Sequence, residues 1–137
     1  MLVRGIAAGG LVVVLIAACA PQARQPAVGR ALYQTYCQTC HGDSGKGNGP
    51  TAATLSKHPA DLTRIAARNG GVFSLAKVMS TIDGYTRKND HGSIMPEMGL
   101  VLSDGPTVMV DTGDGAQTPA PQPLVALAEY LRSLQGS

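Results

Sequence analysis

The sequence is poor in large side chains and in charge. It has no tryptophan, one phenylalanine and four tyrosines among 137 residues, and only 15% of its residues are charged. A single domain of this length with so few aromatic residues has little apolar area to bury, which favours a core completed by a crosslink or a bound group. The net charge of +2 argues against a protein that binds nucleic acid, because such proteins present a clustered basic face.

The sequence contains few cysteines, and their number is odd. The three cysteines are Cys19, Cys37 and Cys40, and an odd total would leave one of them unpaired in a disulfide framework. Their chemistry therefore has to be explained by their separate surroundings.

The N-terminus carries the long apolar run. Arg4 precedes an apolar segment, residues 6–18, that Gly9 and Gly10 interrupt. It is shorter than the roughly 20 residues of a membrane-spanning helix. A basic start followed by a short apolar core is typical of a secretory signal peptide, and we predict one over residues 1–18.

The apolar core ends in the segment Leu15-Ile16-Ala17-Ala18-Cys19. This segment resembles a bacterial lipobox, and the resemblance implies that Cys19 becomes a lipidated N-terminus. Diacylglycerol on the Cys19 thiol and a further chain on the new amine would give stable membrane anchoring. Two alternatives stay open: an uncleaved anchor that contains Cys19, and an A-x-A type cleavage site formed by Ala18-Cys19-Ala20, which would be cut after Ala20. With Pro21, Pro26 and two glutamines, residues 19–27 are then predicted to be a flexible tether to a folded domain at 28–137.

The most specific motif is Cys37-Gln38-Thr39-Cys40-His41, the attachment pattern of c-type haem. Two cysteines at this spacing lie on one side of a helical turn, where both thiols can add to the two haem vinyl groups. The adjoining imidazole of His41 can then reach the iron. We therefore expect one covalent haem c, which would also supply the apolar bulk that the composition lacks.

Two other uses of a Cys-x-x-Cys pair fit the sequence less well. A redox-active dithiol needs a helix N-terminus to lower the thiol pKa, whereas this pair follows the end of a predicted helix. A structural zinc site needs a second pair of ligands, and no cysteine follows Cys40.

The sequence after the motif resembles the class I c-type cytochromes, which are mono-haem proteins. The segment Cys40–Pro50 matches their glycine-rich turn after the haem histidine, and the resemblance covers nearly all of residues 27–135. It implies an all-α, cytochrome c-like bundle of roughly three to five short helices around one covalent haem. It also implies that the Pro50 carbonyl accepts the Nδ1–H of His41. Pro59–Thr63 resembles a stretch that some small bacterial members place beside the haem propionates.

A methionine is the expected sixth iron ligand, because thioether sulfur favours ferrous iron and raises the potential. Met95-Pro96 resembles the Met-Pro turn that supplies this ligand in the family, and Pro96 disfavours helix at Met95. Met98, His91 and His58 stay open as alternatives. Packing is the simpler explanation for Met79, on the apolar face of a predicted helix, and for Met109, in an alternating run.

Apolar periodicity predicts helices around the motif. One leads into it over residues 28–36, and another starts at Pro123 and ends before Gly136. In the family these two helices cross at a glycine and an aromatic residue, for which Gly29 and Tyr130 are the matching candidates. Further predictions are a helix capped by Ser74 and closed by Gly84, a shorter one within 61–68, and a small β-hairpin at about 107–118.

These observations predict an electron-transfer protein and not an enzyme. With His41 and Met95 as axial ligands the iron has no position for a substrate, and electrons would pass to transient redox protein partners. The leader predicts export to the periplasmic side of a bacterial membrane, with a lipid anchor on Cys19. The alternatives are an accessory subunit of an oxidase, dehydrogenase or nitrite-reducing complex, and a haem sensor or enzyme with a labile sixth ligand.

Overall fold

The computed structural model describes residues 25–87, 94–113 and 115–136. Helices dominate these residues: α1 (Gln25–Tyr36), α2 (Gln38–His41), α3 (Ile65–Arg68), α4 (Leu75–Asp83), α5 (Gly99–Leu102) and α6 (Gln122–Ser133). Short 3₁₀ helices lie at Ala52–Thr54, Leu62–Arg64 and Tyr85–Arg87. Two antiparallel strands, β1 (Thr107–Asp111) and β2 (Gln117–Pro121), form a hairpin before α6. The predicted helical bundle with a small hairpin is thereby confirmed.

Helix α1 begins earlier than the sequence pattern indicated. Its first residue is Gln25, so residues 25–27 of the predicted tether are helical. Pro26 does not prevent this, because the first-turn N–H groups of a helix have no partner within the helix and a missing one costs little.

The first and last helices cross at the predicted glycine. A Cβ atom on Gly29 would collide with the Ala126 carbonyl oxygen and would lie 2.8 Å from Tyr130 Cβ. Below this crossing the rings of Tyr33 and Tyr130 pack with centroids 5.3 Å apart. The absence of a side chain at Gly29 is therefore what lets α1 approach the backbone of α6.

Helix α4 has the predicted ends. The Ser74 hydroxyl accepts a hydrogen bond from the Lys77 N–H at its N-terminus, and Gly84 closes it with φ +100°. Its apolar stripe is buried in the core: Leu75, Val78, Met79 and Ile82. The core function expected for Met79 is confirmed.

The hairpin covers one part of the helical core. Val108 pairs with Ala120 and Val110 with Thr118, and both valines pack against the buried cluster. Met109 lies on the opposite face and is 59% exposed, because successive strand residues point to opposite sides. The expectation that Met109 packs in the core was wrong.

Helix α6 is the centre of the bundle. One continuous run, from Leu124 to Ala128, is buried, and Leu127 and Ala128 have no exposed surface. Among the described residues, no helix is both long and apolar enough to cross a membrane. Residues of α4 and α6, with Cys37 and His41 from the turn after α1, border the cavity described below.

Candidate haem-binding site

The Cys37–His41 motif adopts a single helical turn directly after α1. Cys37 precedes α2, and the His41 N–H donates to the Cys37 carbonyl at 2.9 Å. Tyr33 ties this turn to α1, because its carbonyl accepts from Cys37 N–H and its hydroxyl donates to Gly42 O at 2.6 Å. Tyr33 therefore anchors the motif at both ends, through its backbone carbonyl at Cys37 and through its hydroxyl after His41.

His41 is buried and its ring is oriented by a backbone acceptor. Its Nδ1 lies 2.9 Å from the Ala60 carbonyl oxygen. A carbonyl can only accept, so Nδ1 carries the proton and Nε2 keeps the free lone pair that binds a metal. Burial lowers the pKa of His41, and the bond to Ala60 opposes this shift only in part. Burial therefore favours a neutral imidazole, and the bond to Ala60 fixes its tautomer, so that Nε2 can act as a ligand.

The predicted partner of His41 was wrong. Pro50 is exposed, and Ala60 O takes the place assigned to the Pro50 carbonyl. Gly47 explains the difference. Its φ is +80°, and a Cβ there would collide with Pro59 O. The chain at Pro59-Ala60 can therefore lie close to the glycine-rich turn and reach the imidazole.

An apolar cavity of about 270 Å³ borders the motif. Cys37, His41 and Met95 all line it, together with apolar side chains from the helices and the segment before α3: Leu62, Ile65, Val78, Ile82, Leu127 and Leu131. The structure thus brings together three residues that are separated by as many as 58 positions in the sequence (95 − 37).

The two motif cysteines are free thiols in different surroundings. Burial raises the pKa of Cys37 to about 11, and the nearby Cys40 adds to this. Cys40 Sγ lies 3.3 Å from Thr51 Oγ1. Because that hydroxyl donates its proton to Thr39 O at 2.9 Å, the Cys40 thiol is the donor to Thr51. A redox dithiol needs a low thiol pKa, so the raised pKa of Cys37 opposes that alternative.

The candidate sixth ligands occupy different environments. Met95 is half-buried on the cavity wall, whereas Met98 is buried in the core and its N–H donates to Ile82 O. His58 is exposed and its Nδ1 lies 2.9 Å from Pro59 O. His91 lies outside the described residues, as does Cys19.

Gln135 helps to position the wall of the cavity, and the sequence analysis did not predict this. Its side-chain nitrogen donates to the Leu62 and Leu131 carbonyls at 2.8 and 2.7 Å, and its oxygen accepts from Ala66 N–H at 2.9 Å. It therefore fixes the segment that carries Leu62 and Ile65 to the end of α6. No local pattern reveals this, since a glutamine after a helix is ordinarily a solvated residue.

The residues present fit a covalently attached haem. Two thiols, an imidazole with a free Nε2 and a half-buried thioether lie at or beside one apolar cavity. Among the described residues, no group of three or more histidine, cysteine, aspartate or glutamate side chains could hold a metal ion without such a cofactor. This donor set is that of a haem iron held by nitrogen and sulfur.

Short helices packed around a cavity that the Cys-x-x-Cys-His motif borders are consistent with a c-type cytochrome, and a family match shows that class. The family model described as "Cytochrome C oxidase, cbb3-type, subunit III" matches residues 24–131. The chain belongs to this family and binds haem c covalently. A search of the curated proteins found no match.

Proposed function

We propose that this protein is a mono-haem carrier of single electrons between redox protein partners. Cys37 and Cys40 would hold the haem through thioether bonds, and His41 and Met95 would bind its iron. The observation that supports this most directly is the shared cavity, in which His41 and Met95 lie on the wall together with Cys37.

The bound iron would supply the redox change, between its ferric and ferrous states. The protein's own residues determine how it does so. Ala60 O keeps the proton on Nδ1 of His41 and so directs Nε2 to the metal. The apolar walls would solvate the extra charge of ferric iron poorly and so favour the less charged ferrous form, and the Met95 sulfur would favour it further. With His41 and Met95 both bound to it, the iron would have no position for a substrate.

The axial assignment is tested by Met95→Ala, with Met98→Ala as the matched control. We expect Met95→Ala to lose the sulfur-to-iron charge-transfer band, to lower the midpoint potential and to bind carbon monoxide rapidly when reduced. Met98→Ala removes a buried core side chain, so it should lower stability by about 2–5 kcal/mol and keep the band. The assignment fails if Met95→Ala retains the wild-type spectrum. A wild-type protein that itself binds carbon monoxide rapidly would favour a haem sensor or enzyme.

A second candidate function is that of a subunit in a larger redox complex. It is favoured by the description of the matched family, which names a subunit of an oxidase. Purification of the full chain from its native membrane in mild detergent separates the two. Stoichiometric partner subunits would favour the complex, and isolation of the cytochrome alone would favour the free carrier.

We further propose that the domain is exported and held at the membrane by lipid on Cys19. The apolar core that ends at this cysteine supports the proposal. Intact-mass analysis of the protein made with its own leader tests it. We expect a chain that starts at Cys19 and carries both haem and acyl mass, whereas a chain that starts after Ala20 would contradict the anchor.

A further inference from the structure

The hydrogen-bond pattern of the β1–β2 hairpin shows which backbone groups point away from it. Gln122 N–H donates to Pro106 O at 2.9 Å just beyond the paired strands. Hydrogen-bonded pairs recur at every second residue of an antiparallel ladder, so Val108–Ala120 and the pair two residues further along are hydrogen-bonded. The N–H and C=O groups of the residues between these pairs therefore point outward, to the two edges of the hairpin.

The two edges differ in what they offer to another strand. On β2 the outward positions include Pro119 and Pro121, which have no N–H. On β1 they are Thr107, Met109 and Asp111, and none of them is proline. Within the described part of the chain, no backbone hydrogen bond engages the outward groups of these three residues. The outer side of β1 is therefore an edge to which a further strand can add.

The helical core leaves this edge accessible. Ala120 of β2 is buried, whereas every residue of β1 is exposed or half-buried, and more than half of the Met109 side chain is exposed. The core therefore lies beneath β2 and not beneath the outer side of β1. Natural edge strands often avoid pairing by means of proline or lysine, and β1 contains neither.

We propose that β1 pairs in antiparallel fashion with β1 of a second copy of this chain, centred on Met109, so that two hairpins form one four-stranded sheet. In this register Met109 faces Met109 of the other copy, and Thr107 of each copy faces Asp111 of the other. All three outward N–H groups of each β1 then have a carbonyl partner. This inference concerns the hairpin and goes beyond the proposed haem chemistry.

Charge favours this register over its neighbours. Asp111 is the one charged residue of β1, and in the proposed pairing it faces the Thr107 hydroxyl, which can donate to it. Pairing centred on Asp111 would place two carboxylates opposite each other, which is destabilising. Pairing centred on Thr107 would leave a single residue of each copy facing its equivalent. The strand is thus complementary to itself only about Met109, which favours a second copy as the occupant.

Sedimentation equilibrium of the full, haem-loaded chain in mild detergent tests the proposal, and we expect weak dimerisation because the interface is small. Met109→Pro removes the outward N–H at the centre of the interface and leaves the bonds to β2 intact. It should raise the dissociation constant of the dimer by about tenfold or more, since each dimer loses two hydrogen bonds. Met109→Leu keeps the N–H and an apolar side chain, so it is the matched control and should dimerise like the wild type.

Two surface charges test the register, and they apply even if Met109→Pro does not fold. Thr107→Asp places like charges opposite each other and should weaken the dimer by about threefold to tenfold, whereas Thr107→Lys faces Asp111 and should strengthen it by a similar factor. Ser103→Lys adds the same charge at an exposed position outside the hairpin and should leave the dissociation constant unchanged. Equal constants for the two Thr107 variants would overturn the register.

A covalent crosslink tests the geometry directly. Facing residues of a hydrogen-bonded antiparallel pair have Cα atoms about 5.5 Å apart, a separation that a disulfide spans. Met109→Cys should therefore form a covalent dimer on mild oxidation. Leu100→Cys is the control, because Leu100 is 92% exposed and the variant retains the same other cysteines; it should crosslink much more slowly.

Three results would overturn the proposal. One is a chain that stays monomeric up to about 1 mM, the limit of weak specific binding. Another is a dimer with the same dissociation constant in Met109→Pro and Met109→Leu, which would place the contact on a different surface. The third is equal crosslinking of Met109→Cys and Leu100→Cys.

Discussion

Tyr33 links the first helix to the haem motif at the scale of a single residue. Its side chain has no exposed surface, and its hydroxyl donates to Gly42 O directly after His41. Burial raises the pKa of Tyr33, and the nearby Cys37, Tyr130 and Asp43 raise it further. The phenol therefore stays protonated and remains a donor throughout the physiological pH range.

We expect Tyr33→Phe to lower the free energy of unfolding by about 1–3 kcal/mol, because it leaves the buried Gly42 carbonyl without its partner. The measurement is guanidinium unfolding of the haem-loaded protein. Tyr36→Phe is the control: that residue is 44% exposed, so its hydroxyl should change stability by less than about 0.5 kcal/mol. Equal stabilities for the two variants would show that the Tyr33 bond contributes nothing measurable.

Single residues also mark where sequence reasoning succeeded and where it failed. The motif itself predicted that Cys37 and His41 would be adjacent, because they are one helical turn apart. The prediction that Pro50 is the partner of His41 was wrong. Ala60 reaches the ring instead, because Pro59 lies close to Gly47. Such a contact between two loops depends on backbone geometry that no local pattern encodes.

At the scale of elements, the crossing of α1 and α6 leaves no space for a side chain at Gly29. Gly29→Ala should gain about 1 kcal/mol of intrinsic helix propensity and yet destabilise the protein by about 1–3 kcal/mol overall, because the new methyl group collides with Ala126 O. Thermal unfolding of the holoprotein measures this. Gln34→Ala, on the exposed side of the same helix, should stay near wild type; a stabilised Gly29→Ala would contradict the close crossing.

The end of α6 holds the 62–66 segment through Gln135. Gln135→Ala removes all three side-chain bonds to Leu62, Leu131 and Ala66. We expect faster amide hydrogen exchange at residues 62–66 and a stability loss of about 1–3 kcal/mol. Ser133→Ala, which removes a hydroxyl bond to Tyr130 O within α6, should leave that exchange unchanged. Unchanged exchange in Gln135→Ala would refute the clamp.

Elements were more predictable than the contacts between them. The Ser74 cap and the Gly84 terminus gave the bounds of α4, and the alternation around Val108 and Val110 gave the hairpin. Both signals are local, so they survive without knowledge of the fold. The cationic lining of the cavity could not be predicted in this way, because Arg68 and Lys77 come from different helices.

The net charge of the whole molecule determines how strongly it attracts or repels a charged redox partner over long distances. A net charge of +2 on 137 residues produces weak long-range steering, which salt screens within about 10 Å at 0.1 M. We expect the rates of electron exchange with ferricyanide and with hexaammineruthenium to change by less than about threefold between low and moderate ionic strength. Stopped-flow measurements with both probes check this. A steep dependence of opposite sign for the two would reveal a strongly charged docking face.

The haem should also determine whether the whole molecule folds cooperatively. The chain has no tryptophan and one phenylalanine, and its helices surround an apolar cavity of about 270 Å³. Leaving that volume without apolar filling costs up to about 6 kcal/mol at ~24 cal/mol per Å³, although water in its open part reduces this. Such a cost is comparable to the total stability of ~5–15 kcal/mol that is typical of a domain.

We therefore expect the haem-free double variant Cys37→Ser/Cys40→Ser to keep part of its far-ultraviolet helical signal and to lose a cooperative thermal transition. The single variant Cys40→Ser, attached through Cys37 alone, should keep that transition. A haem-free chain that unfolds as sharply as the holoprotein would mean that the helices form a sufficient core by themselves.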